Sequence, residues 1–414
     1  MPANPRRRAA AALAGLAAIV LSLAACAPPA KKPATPAAVL ELRPVEFAAL
    51  PGWQADHPAE ALPALARSCA RFAKLSPGRS VGPAALAGTI ADWKPACDAL
   101  AAVPAGDDAA ARAYLEAWFA PFSVFAAGSD GIGTFTGYYE SELKGSRTPD
   151  PAYPTPLYGI PDDMITVELG DFRADYKGQS VVGRVDGHKL KPYWSRADIT
   201  KGALAGRGQE LLWVQSPVEL YFLQVQGSGR VELPDGSTMR VGYASQNGQP
   251  LTLVGRTLVE MGAIPRKEVS MQTIRAWLNA HPDQAQQVID KDRSYVFFRV
   301  IEGDGPIGSQ GVALTAGRSL AIDPAYLPLG VPLWLDTTWP NGTKQAGQPL
   351  QRLVVAQDTG GAIKGVVRGD VYWGTGEPAL AVAGFMNQSG RYYMLLPRPV
   401  AEKRRALIAQ GMLP

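Results

Sequence analysis

The sequence predicts a mainly β protein with a short helical region at its front, and three observations carry that prediction. Among 414 residues, 36 prolines and 43 glycines cut the chain into many short apolar runs. From about Gly137 those runs have strand length and alternate with turn signals such as Asp186-Gly187, Gly206-Arg207-Gly208 and Pro234-Asp235-Gly236. Between about Ala59 and Phe125, by contrast, apolar residues recur at helical spacing. The length allows two domains, each with a core of its own.

The first 26 residues stand apart from this body. Arg6-Arg7-Arg8 is a basic n-region, and Ala9 to Ala25 is an apolar run too short and too alanine-rich for a membrane span. It ends in Leu23-Ala24-Ala25-Cys26, which resembles the bacterial lipobox, where the cysteine becomes the first mature residue and carries acyl chains. A plain secretory signal with a cysteine at its end is the alternative. Residues 27–45 read as a Pro/Ala-rich tether, whose roughly 18 residues would reach about 50 Å if extended. The absence of Asp at Ala27 resembles lipoproteins sorted to the outer membrane, which predicts an anchored protein facing the periplasm of a Gram-negative cell. Loss of the signal removes three arginines and no acid, so the net charge drops from +4 to about +1. A body this close to neutral argues against nucleic acid as a partner.

In the helical region Leu62, Leu65, Cys69 and Phe72 share a face, and Asp107-Asp108 open a run carrying Tyr114, Leu115, Trp118 and Phe119. Cys69 and Cys97 are the cysteines left after export, which favours a disulfide over two thiols. Such a bridge would contribute on the order of 3 kcal/mol. Two distant cysteines and three scattered histidines (His57, His188, His281) make no ligand set, so neither a metal nor a cofactor is expected. The stretch Gly137 to Val241 reads as a barrel or sandwich. Two helices follow, Leu251 to Met261 stopped by Gly262, and one opened by Ser270 with Ile274, Trp277 and Leu278 inward. Strands return from Tyr295.

The residues most suggestive of chemistry lie between Val355 and Gly376. Asp358 and Asp370 bracket a glycine-rich loop, with apolar runs (Leu353 to Ala356, Val371 to Trp373) leading in and out. That reads as strand, tight loop, strand, with a carboxylate at each mouth. Asp323 stands upstream before a Pro-framed turn. Aspartates so placed suit acid/base work, and they equally suit turns in which Asp bonds its own backbone. Gly360-Gly361 and Gly365 would let backbone N–H groups approach a ligand closely, and Lys364 is either a contact or a solvated charge. The string GGAIKG is not a phosphate loop, since no Ser or Thr follows the lysine in register. In QVQGSG, Gln226, Gly227 and Ser228 offer amide, backbone and hydroxyl groups suited to sugar substituents. Asp358-Thr359-Gly360 is the tripeptide of aspartic proteases, but the second copy that their shared proton requires is missing.

The blocks AIDPAYLPLGVPLWL, VAQDTGGAIKG and RGDVYWGTG, together with GTFTGYYE, YFLQVQGSGRV and VGYASQNGQP in the same order, resemble the membrane-bound lytic murein transglycosylase A family. The similarity runs from about Gly133 to Leu396, with the two loop aspartates one residue further apart than in the best-known members. It implies a double-psi β-barrel built from residues 46–140 plus 300–414, a second β-domain inserted at 141–299, and a glycan groove between them. It implies cleavage of the β-1,4 bond between N-acetylmuramic acid and N-acetylglucosamine in peptidoglycan, leaving 1,6-anhydro ends, with other cell-wall enzymes as candidate partners. By the motif match Asp370 is the acid/base and Asp358 its supporting carboxylate, while Asp323 organises a turn. Thr136, Tyr138, Tyr243, Asn247 and Tyr372 fall on the groove, with Gly361 and Lys364 on the loop beside it. An inverting β-glycan hydrolase using Asp358 or Asp323 as base, and a non-catalytic wall-binding lipoprotein, are the competing expectations.

Overall fold

The computed structural model describes residues 38–303, 305–340 and 347–413. The signal segment, Cys26 and the tether as far as residue 37 lie outside the described residues. The tether expectation extends too far. Leu40–Pro44 is a strand (β1) paired antiparallel with Phe119–Ala126 (β2), because alternation around Leu42 lets that side chain point inward, 1% exposed.

Three helices follow β1: Leu62–Phe72 (α1), Ile90–Leu100 (α2) and Asp108–Trp118 (α3). Asp107 caps the third by accepting from Ala110 N (2.9 Å), and at the start of the second Asp92 accepts from Thr89 N (2.7 Å) and the Thr89 hydroxyl (2.8 Å). Cys69 of α1 and Cys97 of α2 are bonded to each other. The helical expectation overruns at Phe119, where the chain turns into β2. Six consecutive buried residues there erase the periodicity that separates helix from strand, and Pro121 has no N–H to continue a helix.

The long strand Gly133–Ser146 (β3) organises everything after it. Thr155–Tyr158 (β4), Ile165–Glu168 (β5), Ser180–Asp186 (β6), Lys189–Pro192 (β7) and Glu210–Val214 (β8) come next, then the helix Pro217–Gln226 (α4). Ser228–Glu232 (β9) and Thr238–Gln246 (β10) precede the helices Val254–Glu260 (α5), Met271–Ala280 (α6) and Pro282–Ile289 (α7). The last part holds Val296–Ile301 (β11), Ser319–Ile322 (β12), Pro332–Thr338 (β13), Pro349–Thr359 (β14), Arg368–Thr375 (β15), Gly376–Ala383 (α8), Asn387–Pro397 (β16) and Arg398–Ala409 (α9). Strands make up 32% and helices 31%, so the chain is mixed and sheet-dominated, with more helix than a mainly β reading allows. Helix α4 was unexpected because it is apolar nearly all round, which leaves no polar face to betray the 3.6 period. Helix α5 starts at Val254, later than Leu251, and in α6 Leu278 is fully buried while Ile274 and Trp277 are half-buried.

Pairing runs β16-β13-β14-β12-β15-β3, and β3 pairs back onto β16, so these six strands close a ring. Its interior is filled by Phe135, Leu320, Leu333, Val354, Val371 and Tyr392, among others. Residue by residue along β3 the partner changes. Thr134 to Glu140 lie beside β15, and Ser141 to Lys144 lie beside β9, which leads on to β10 and β11. The largest apolar cluster draws on residues 42–135 and 320–401, and three others draw on residues 143–298. One strand therefore serves two cores.

Candidate active site

The aspartate loop is not a simple hairpin. β12 lies between β14 and β15, parallel to the first and antiparallel to the second, and Ala321 is the register partner of both Asp358 and Asp370. Thr136 of β3 is in turn opposite Asp370, and Asn387 of β16 is opposite Thr136. Direct partners in a sheet point to the same face, so the two carboxylates flank one methyl group across about 10 Å of backbone. A bulge at Gln357 sets this register. Gln357 is fully buried and donates to Ala64 O (2.8 Å) and Ser68 Oγ (2.9 Å), while Ser319 Oγ donates to it (2.7 Å). The bulge is thus pinned to α1, and the residue after it is re-aimed. Two positions along the same face, Tyr138 and Tyr372 are also partners, with ring centroids 5.4 Å apart.

The two carboxylates have different surroundings. Asp358 Oδ1 accepts from Ser309 N (2.9 Å), Ser309 Oγ (2.8 Å) and Thr359 N (2.9 Å), and its Oδ2 accepts from the Tyr138 hydroxyl (2.8 Å). Burial raises its pKa, and these four donors pull it back. Asp370 Oδ1 accepts one bond, from Thr136 Oγ1 (2.5 Å). Although part of its surface stays open, the protein crowds it closely, and that burial pushes the carboxyl up to about 6. The Thr136 bond and the Arg368 charge oppose the rise, while the charge of Asp358 adds to it. Burial also raises the Tyr138 phenol well above its usual value, so it remains a donor to Asp358.

Asp323 holds the loop from below. Its Oδ2 accepts from Gly365 N (2.8 Å), its Oδ1 accepts from Ala325 N (3.2 Å), and the Lys364 ammonium lies 3.8 Å away. The carboxylate is buried, so the loop between β14 and β15 is tied to the turn after β12. Gly361 and Lys364 are exposed beyond that tie, and Gly365 takes φ +120°, where a side chain would strain the turn.

The structure brings together Thr136, Tyr138, Asp358, Asp370 and Tyr372. Other sequence candidates lie elsewhere or are already engaged. Asn247 is 0% exposed; its amide donates to Trp194 O and Arg293 O and accepts from Tyr295 N and Gln249 N, so no group remains for a ligand. Gln226 is likewise buried, accepting from Tyr139 N (3.0 Å) and donating to Met271 Sδ (3.3 Å), which makes it a tie between α4, β3 and α6. Gly227 ends α4 in the left-handed region (φ +81°), and Ser228, half-buried, begins β9. Tyr243 is 49% exposed beside Gly227, to whose carbonyl its N–H donates (2.7 Å). Two groups near the carboxylates, Ser309 and Arg368, carry no mark of that role in the sequence, nor does Glu140 further along β3. Ser309 sits in a Gly-Ser-Gln-Gly turn 49 residues before Asp358 and carries no signal of its partner. Glu140 is fully buried, accepts from Thr375 Oγ1 (2.7 Å) and lies 3.3 Å from Arg240 Nε.

Residues 134–299 match the MltA specific insert domain, and residues 318–396, which include Asp323, Asp358 and Asp370, match the 3D domain. The membrane-bound lytic murein transglycosylase A of Escherichia coli K12 is 31% identical over 280 residues, 66% of this chain and 69% of that protein. The chain belongs to the membrane-bound lytic murein transglycosylase A family. The Vibrio cholerae member is 30% identical over 265 residues, and the match spans 64% of that protein. Among solved members, the Agrobacterium tumefaciens enzyme superposes with a TM-score of 0.76 at 34% identity, covering 88% of this chain and 99% of its own. The Neisseria gonorrhoeae structure gives 0.72 at 33%, covering 90% and 96%. An E. coli member solved with bound chitohexaose gives 0.61 at 25%, covering 88% and 95%. The insert-domain match begins at Thr134, inside β3, so this family's insert shares a strand with the ring that carries the carboxylates.

Proposed function

We propose that this chain is a lytic transglycosylase that cuts peptidoglycan between N-acetylmuramic acid and N-acetylglucosamine, with Asp370 as its acid and base. The observation that carries the reading is a crowded carboxyl, raised to about 6 and held by one donor, lying across Ala321 from a carboxylate held by four. Breaking a glycosidic bond needs a proton on the leaving oxygen, and a carboxyl that keeps its proton near neutrality can supply it. As the bond from C1 to the leaving oxygen breaks, the Asp370 proton moves to that oxygen. The 6-hydroxyl of the muramyl sugar then bonds to C1, and its proton passes to the Asp370 carboxylate, which restores the starting state. No water is consumed. Asp358, anchored by Ser309, Thr359 and Tyr138, supports that carboxyl electrostatically.

The closed ring in which β14 and β15 straddle β12 supports a double-psi barrel, assembled from residues 46–140 and 300–414 with residues 141–299 inserted. The family's bound-chitohexaose structure supports a glycan groove beside the ring, with Tyr243, Ser228, Gly361 and Lys364 as contacts. The lipobox supports an outer-membrane lipoprotein anchored at Cys26 and facing the periplasm, so Cys26→Ser should release the protein to the soluble fraction. The deciding experiment is mass spectrometry of products from purified sacculi. Anhydro ends support the reading. Reducing ends, heavier by one water, would replace it with an inverting hydrolase, and no release at all with a wall-binding protein.

A further inference from the structure

Arg368 stands two residues before Asp370 and is half-buried. Its guanidinium makes no ion pair within 4.0 Å among the described residues. Instead it donates to Thr134 O (3.3 Å), to Gly369 O, and through Nη2 to Thr136 Oγ1 (2.8 Å). The same Thr136 Oγ1 lies 2.5 Å from Asp370 Oδ1. A guanidinium can only donate, and a threonine hydroxyl has one hydrogen. With one lone pair of Thr136 occupied by Arg368, its hydrogen is left to point at Asp370 Oδ1. In that arrangement Oδ1 accepts, which favours the other oxygen as the seat of a proton carried by the carboxyl. Oδ2 has no hydrogen-bond partner among the described residues, and is the atom left to face a substrate.

We propose that Arg368 is a positioning residue: acting through the Thr136 hydroxyl, it assigns the exchangeable proton of Asp370 to Oδ2. The inference rests on reading Asp370 as the acid and adds to it the direction in which the proton is delivered. Two further consequences follow from charge. Asp370 faces Arg368 on its own strand, Asp358 across β12, and the Tyr138 hydroxyl from β3, while Tyr392 of β16 interacts with Arg368. Arg368 is the cation of this group, and it lowers the carboxyl's affinity for its proton against the opposing pull of burial and Asp358. Removing it should therefore make Asp370 a weaker acid as well as a badly aimed one.

The test is the pH dependence of turnover on sacculi, with Arg368→Met and Arg368→Lys beside the wild type. In Arg368→Met the alkaline limb of kcat should move up by roughly one pH unit, as expected for loss of a nearby opposite charge. At the same time kcat on the plateau should fall on the order of tenfold with KM little changed, the scale of one lost charge-assisted hydrogen bond. Arg368→Lys keeps the charge and a donor, and should return the limb most of the way. A ¹³C NMR titration of labelled aspartate, with the Asp370 signal assigned by its absence in Asp370→Asn, reads the same shift without reference to activity. An Arg368→Met enzyme whose limb and NMR titration both match the wild type would overturn the inference, even if it turned over slowly. Asp370→Asn separates the two levels. If it keeps turnover, the choice of acid falls and this inference with it. If it is inactive while Arg368→Met has an unaltered profile, only the role of Arg368 falls.

Discussion

Asp358 and Asp370 leave the two ends of one loop, share Ala321 as partner, and lie within the same six-stranded ring, yet their surroundings differ. Asp358 is wrapped by four donors from three parts of the chain, and each favours its charged form. Among the described residues Asp370 has one donor and an oxygen without a hydrogen-bond partner, and burial favours its neutral form. What separates Asp358 from Asp370, the proposed proton carrier, is the number of donors aimed at each, since both are crowded. Neither the loop nor the residue type distinguishes them.

The strongest attempt to break this contrast is the pair of amide variants. Asp370→Asn should lose about 10²–10⁴ in turnover on sacculi, the usual contribution of a general acid, with glycan binding retained. Asp358→Asn should lose on the order of tenfold, because it acts on its neighbour's proton affinity and on the aim of Tyr138. The reverse ranking would exchange the two roles. Stability should run the opposite way. A carboxyl whose folded pKa lies near 6, above its unfolded value, binds its proton more tightly when folded, so its contribution to stability declines as pH rises from about 4 to 6. At pH 7 Asp370→Asn should therefore be more stable than the wild type by about 2–3 kcal/mol, and the gain should vanish below pH 4 in thermal denaturation. Asp358→Asn should be less stable by about 1–3 kcal/mol, because relief of the burial that also raises this carboxyl is outweighed by an amide N–H turned toward the Tyr138 hydroxyl, which itself donates. The smallest effect belongs to Ser309→Ala. It removes one of four donors, so a loss of about 0.5–1.5 kcal/mol in Tm-derived stability and little change in turnover are expected. A large activity loss there would mean that the Asp358 cluster does more than hold a charge.

Legibility in the sequence followed the same division. The strands around Asp358 and Asp370 were readable because their apolar runs and bounding glycines are local signals. Strand β12, which enters between them, was not readable as such, because pairing with both neighbours is decided by segments far along the chain. The Asp-Pro signal marks Asp323 as a turn former, as its bond to Ala325 N shows; its bond to Gly365 N, which ties down the loop between β14 and β15, is a tertiary fact. Asn247 shows the converse failure. An exposed-looking Ser-Gln-Asn-Gly-Gln string contains a residue fully consumed by four backbone groups, and a polar side chain in a turn has no local mark that tells ligand contact from backbone repair. Phe119 to Phe125 reads as helix because burial of its first six residues hides the period.

Strand β3 also has a consequence for the order in which the molecule is finished. Its partner at the carboxylate end, β15, is more than 220 residues away, and the ring closes only when β16 has arrived. Pairings so distant in sequence form late and slowly. A chain emerging across a membrane would thus display the middle segment and its helices well before it owned an acid, and one cut short before residue 370 would never own it. On the proposed function, an enzyme that opens the wall containing its own cell would gain from such timing, since its proposed acid is in place only when the chain is whole.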